Sequence, residues 1–184
     1  GMLVLSGSNT YSGSTNVTAG MLVTTPLPGF ATPGRLTVAN GATLSFRAGG
    51  VGEWVESDIV TALNAGSLGA SANIGIDVTA SNTFSYSSLV SSNRGFLKSG
   101  LGTLVLSGSN AGAGTVSVTG GVLSVGSLAS LGSAVSTYLG GTLRVTGTSP
   151  MDFVNGIVLT SPSVLDIANT GGLTVSGIIS GSYG

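Results

Sequence analysis

The chain has 184 residues, 32 of them Gly, with 6% charged residues, a formal net charge of −1 and no His or Cys. That composition excludes zinc and thiol chemistry and a Ser-His-Asp triad, and it leaves the many Ser and Thr hydroxyls without an activating base. Five scattered cations, Arg35, Arg47, Arg94, Lys98 and Arg144, do not form the dense basic face that nucleic acid requires.

From the N-terminus, LVLSG, VTAGMLV, RLTVANG and ATLSF are short segments that alternate apolar with small polar residues. Period two is the strand pattern, and the Gly, Asn, Ser and Thr between them supply turn chemistry. Next, Val55, Ile59 and Leu63 recur every four positions within GGVGEWVESDIVTALNAGSLG, which predicts a short helix over 54–63 on the outside of the fold. Glu56 and Asp58 suit a helix N-terminus, and Asn64-Ala65-Gly66 supplies a stop. IGIDV, FSYSSLV and TLVLSG then resume the strand rhythm. No apolar run reaches the length of a membrane-spanning helix. The sequence starts directly on a strand-like segment, so an export signal is expected outside it.

GMLVLSGSNTYSG at Gly1 returns as GTLVLSGSNAGAG at Gly102, and Val17-Thr18 and Gly20-Met21-Leu22 return as Val118-Thr119 and Gly121-Val122-Leu123. Later landmarks keep their order while the spacing shrinks: Thr43-Leu44 with Thr142-Leu143, then Asp77 with Asp166. The chain is an internal duplication, 1–101 and 102–184, and the first copy carries the insertion. The second copy has only Met151-Asp152-Phe153-Val154 in the comparable region. Many short strands repeated in register predict an all-β solenoid, a right-handed parallel β-helix built as one body over 1–184. Coils of about twenty to twenty-five residues give roughly eight turns and a length of about 40 Å.

GTLVLSGSN followed by V-T-(A/G)-G-x-L, with the lead-in GFLKSGL from Gly95, resembles the autotransporter-associated β-strand repeat, also named the passenger-associated transport repeat. The GEWVESDI stretch and the SGIISGSYG ending resemble segments found between such repeats in very large bacterial surface proteins. The resemblance implies a β-helical passenger, extracellular or on a bacterial surface, often part of an adhesin. In the second copy Ala111-Gly112-Ala113 replaces Thr10-Tyr11-Ser12 and loses the aromatic.

Candidate chemistry is sparse. Gly49-Gly50-Val51-Gly52 lacks the Lys and the context of a phosphate loop. Trp54 with Glu53, Glu56 and Asp58 is the best constellation: carboxylates for acid–base work on a glycan and an indole to stack on a sugar. The competing reading makes the carboxylates a helix start and Trp54 an anchor. Asp77 and Asp166 hold matching positions, which suggests turn or capping acceptors, with calcium as the lesser alternative. Asn9 and Asn110 invite an amide ladder, and Tyr11, Phe84 and Tyr86 are expected to fill the core or corners, with stacking on sugars as the lesser alternative. No cofactor and no enzymatic activity are expected. At the ends, Leu3, Val4 and Leu5 and then Ile178 and Ile179 read as open strand edges. They predict end-to-end self-association or continuation of a longer array. The expected function is a structural or adhesive module of an extracellular fibre or passenger, meeting surface glycans or other cells, with glycan binding or cleavage at Trp54 as the alternative.

Overall fold

The computed structural model describes residues 1–30, 32–88, 94–109, 114–133 and 136–183. On one wall, nine strands run in the order β1 (Met2–Leu5), β3 (Met21–Thr24), β5 (Thr43–Ala48), β7 (Asn73–Val78), β9 (Phe96–Ser99), β11 (Val116–Val118), β13 (Ser136–Leu139), β16 (Gly156–Leu159) and β19 (Ile179–Gly181). A second wall carries β8 (Thr83–Tyr86), β10 (Thr103–Leu106), β12 (Val122–Val125), β14 (Thr142–Gly147) and β17 (Val164–Asn169). The third bears β2 (Thr15–Val17), β4 (Leu36–Val38) and β6 (Ser67–Leu68), and further along β15 (Met151–Phe153) and β18 (Leu173–Val175). The strand pairs are parallel, and each wall recurs after about twenty residues, Met2 beside Met21 and Phe96 beside Val116. This is the expected parallel β-solenoid, about eight coils and about 40 Å long.

Alternation within each strand explains the core. Leu22, Leu44, Ile74 and Phe96 stack rung on rung along the nine-stranded sheet, and Leu104, Leu123 and Leu143 do so on the second wall. All of these are buried in one continuous cluster. Each Leu or Val is covered only because a neighbouring coil presents a side chain at the same height. The corners need glycine: Gly20 and Gly121 occupy the same place in the two copies with φ of 70° and 60°. A Cβ there would collide with the carbonyl oxygen of Gly1 or Gly102.

The two copies share their local pairing but not their wall. Met2 faces Met21 and Thr103 faces Val122, the same register. Yet β1 lies in the nine-stranded sheet and β10 in the five-stranded one. Four steps along the long sheet lead from β1 to β9, and β10 follows on the next wall, so one repeat advances four coils and one wall.

The insertion forms α1 (Glu56–Ala65), close to the predicted span, with Glu56 and Asp58 in its first turn. Its inward stripe, Ile59 and Ala62, has no exposure and belongs to the main core, while Ser57, Asp58, Thr61 and Asn64 face solvent. The wall shift leaves β6 and β8 at the edges of their sheets. Arg94 donates from Nε to Gly69 O and from Nη2 to Leu68 O, blunting the edge of β6. Just past the C-terminal end of β8, Glu56 Oε1 accepts from the amides and hydroxyls of Ser87 and Ser88 at 2.6–2.9 Å.

Candidate functional site

Trp54 forms a parallel bridge with Ala48, its amide donating to Arg47 O at 2.9 Å. That pairing turns the indole inward, where Nε1 donates to Thr24 O at 2.9 Å. The ring meets Phe46 edge-on at 5.1 Å and Phe30 at 5.9 Å, and Trp54 is only 5% exposed. An indole packed on both sides has no face for a sugar, so Trp54 acts as an anchor.

The carboxylates are occupied separately. Glu53 Oε2 accepts from the Gly50 amide at 2.7 Å and closes its own loop. Burial pushes the Glu56 carboxyl up, but the hydrogen bonds from Ser88 and Ser87 outweigh it and hold the group below the usual carboxylate value. Asp58 is exposed, accepting from Ser57 Oγ at 3.3 Å. The fold gives the four members separate surroundings: Trp54 is core, Glu53 closes its own loop, Glu56 ties α1 to Ser87 and Ser88, and Asp58 faces water.

Asp77 and Asp166 are neither turn nor capping acceptors, because both lie within strands, in β7 and β17. Each faces an arginine on the neighbouring coil, Arg47 at 2.8 Å and Arg144 at 3.4 Å. Asp77 also accepts from Ser99 Oγ at 3.1 Å, joining three consecutive strands. Among the described residues no group of three His, Cys, Asp or Glu could hold a metal ion. Asn9 donates to Gly7 O within its own turn, while its partner in the predicted ladder, Asn110, lies outside the described residues, as do Ala111, Gly112, Ala113, Leu89 and Val90. Tyr11 is exposed, outside the core, its Oη sharing a 2.7 Å hydrogen bond with Thr15 Oγ1, whereas Phe84 and Tyr86 are buried as expected.

Reading the sequence for chemistry passed over Lys98, which it counted only as a scattered cation. Lys98 follows Phe96 by two positions on β9, so both point inward, and it is fully buried. Its Nζ donates to Ser99 O at 2.7 Å, Gly100 O at 2.9 Å and Gly120 O at 3.2 Å, tying one corner to the next. Desolvation pushes the ammonium down to about 8, and the Asp77 carboxylate opposes the fall. The alternation of Phe96 and Lys98 was the available signal.

The predicted edges stand at opposite ends of one sheet. β1 ends the nine-stranded sheet on one side, with Leu3 57% exposed, Val4 exposed and Leu5 half-buried; β19 ends it on the other, with Ile178 and Ile179 exposed. Next to β1 the coil interior opens into a hollow of about 420 Å³ lined by Leu3, Leu5, Tyr11, Val17, Ala19 and Leu22.

The twice-used phrase has a counterpart among known sequences. The passenger-associated-transport-repeat family model matches residues 1–23 and 96–125. The chain carries passenger-associated transport repeats. The first matched repeat spans β1 to β3 and the second spans β9 to β12, including buried Lys98. An adhesin autotransporter, BmaC, of Brucella suis biovar 1 (strain 1330) is 36% identical over 146 residues. That match covers 74% of this chain and 4% of the relative, so the chain spans a small part of that protein's length. Kinship of this kind implies a surface or extracellular location. No solved structure matches the chain. Among the described residues no helix is long and apolar enough to cross a membrane.

Proposed function

We propose that the chain is a rigid, non-enzymatic segment of a bacterial surface passenger, a spacer that holds adhesive parts away from the cell. The observation that carries this reading is the nine-stranded sheet, which passes unbroken through both repeats from β1 to β19. A body held by backbone pairing at every step resists bending and presents few extended segments to proteases. Similarity to an autotransporter adhesin supports the setting. A low charge and the separate engagement of Glu53, Glu56, Asp77 and Asp166 support a mechanical role.

Display on a bacterial surface with a tag beyond the chain is the direct test. Each added copy of the segment should raise the tag by about 40 Å, the length of about eight coils at the strand spacing. A tag height that does not change with copy number rules the spacer out.

A further inference from the structure

The two repeats fill one corner differently. In the first, the rings of Phe30 and Trp54 meet at 5.9 Å and both residues are buried. Leu131 is the counterpart of Phe30, each standing eight residues after the equivalent Leu123 and Leu22. Phe153 is the counterpart of Trp54, each standing ten residues after the equivalent Leu143 and Leu44. Both are buried too, Leu131 in the short 3-10 turn Leu128–Leu131 and Phe153 in β15. Each is smaller than its counterpart, a leucine for a phenylalanine and a phenyl ring for an indole.

The second repeat leaves a space at this corner. A slot of about 190 Å³ lies between the turn and β15, on the third wall, with coils on both sides of it. Buried Leu131 and Phe153 line its inner part, and half-buried Leu128 and exposed Val154 line it toward solvent. Val154 leads directly into β16, whereas its counterpart Val55 leads into α1. Among the described residues Asp152 is the one charged group lining the slot. It is exposed, and its Oδ1 accepts from the Ser176 amide at 3.3 Å and hydroxyl at 2.8 Å.

We propose that this slot is a docking point for one aromatic side chain of a partner protein, a tryptophan with a lysine or arginine next to it in sequence. Three observations select that partner. The equivalent corner of the first repeat holds an indole against a phenyl ring, so the coil geometry accommodates one. A space of about 190 Å³ is smaller than pockets that enclose a whole ligand, about 300 Å³ and upward, and suits one ring anchored from outside. The Asp152 carboxylate, with no cation lining the slot beside it, attracts a positive neighbour and repels a negative one. The site gives the chain a contact of its own and does not depend on the spacer reading.

Nuclear magnetic resonance titration of the full chain with blocked tetrapeptides tests this. Gly-Trp-Lys-Gly should shift the amides of Leu131, Gly132, Phe153 and Val154 saturably, and Gly-Ala-Lys-Gly should leave them in place. Gly-Trp-Glu-Gly should bind about threefold or more weakly than its lysine version at low salt. Leu131→Phe with Phe153→Trp restores the first repeat's pair, fills the slot and should abolish the shifts. Asp152→Asn should keep the binding but remove the preference for lysine over glutamate. The inference is overturned if no saturable shift occurs at the slot, or if the alanine peptide binds as well as the tryptophan one. It is equally overturned if the filled variant still binds, or if the lysine preference survives Asp152→Asn, a result that decides the matter even where the filled variant folds poorly. Tag height is untouched by any of these results.

Discussion

Gly-x-Leu-Val-Leu-Ser-Gly-Ser-Asn builds β1 in the first repeat and enters β10 in the second, with identical register to the following coil, yet the two strands occupy different walls. Strand pairing is local: it follows from apolar alternation and from the glycine at the next corner. The wall depends on how many strands and excursions the chain has placed before it. The first repeat makes β6, β7 and β8 in succession, and that shifts everything after it by one wall. A shift exposes edges: Arg94 blunts that of β6, and Glu56 ties α1 to the turn that follows β8. In the second repeat the comparable stretch is the short strand β15, which pairs with β18.

The largest effect should come from Trp54→Ala, which removes the rings' packing and the bond to Thr24 O and costs about 3–5 kcal/mol. Amide exchange should quicken through β3, β5 and α1 and stay unchanged in β12 and β14, because coils feel mainly their neighbours. Equal loosening of both repeats would mean a single cooperative unit and would break the comparison.

Next, the corner glycines test whether equivalent positions carry equal weight. A Cβ on Gly121 would meet the backbone of Gly100, Leu101 and Gly102, whereas one on Gly20 would meet only Gly1. Gly121→Ala should cost about 3 kcal/mol and Gly20→Ala about half that, since the added Cβ meets one residue's backbone instead of three. Equal shifts in denaturation midpoint would show that the covering coil makes no difference.

Alkaline titration probes the coil that joins the repeats. Lys98, the sole lysine, ionises at about 8 when folded and near 10.5 when unfolded, so the unfolded chain binds more protons between those values. Stability should therefore rise with pH from about 8 toward about 10. Tyr86 works oppositely: burial, with Glu56 adding to it, pushes its phenol up to about 12, so stability should fall as the unfolded phenol ionises above about 10. Lys98→Met should abolish the rise and leave the fall. A flat profile in the unaltered chain would refute the burial of Lys98.

The smallest expected change is Glu56→Gln, about 1 kcal/mol, from weakening the clamp on Ser87 and Ser88. It should appear as faster exchange in α1 without any effect on the second repeat. No change in α1 would show that the buried face of Ile59 and Ala62 alone holds the helix.

Much of the fold was legible because period-two segments and repeated glycines act over a few residues. LVLSG, ATLSF and IGIDV became strands, and the helix formed where expected, though its buried stripe is Ile59 and Ala62 while Val55 sits before it and is exposed. The candidate site was less legible. A Trp among acids has the same composition whether the indole faces water or a phenylalanine, and only the Ala48–Trp54 bridge turned it inward. Asp77 and Asp166 were recognised as equivalent, but their partners Arg47 and Arg144 sit a full coil away in sequence.

By itself the sequence determined that short strands would form, that glycine would turn the corners, and that the two repeats would pair their coils in the same register. These follow from side-chain alternation and backbone freedom, which are properties of neighbouring residues. Only the tertiary structure decided which wall each strand joined, which groups Arg94 and Glu56 engage, and that a lysine would lie wholly inside. Those outcomes depend on what the previous coil places at the same height, about twenty residues away, where stacking and desolvation act rather than local propensity.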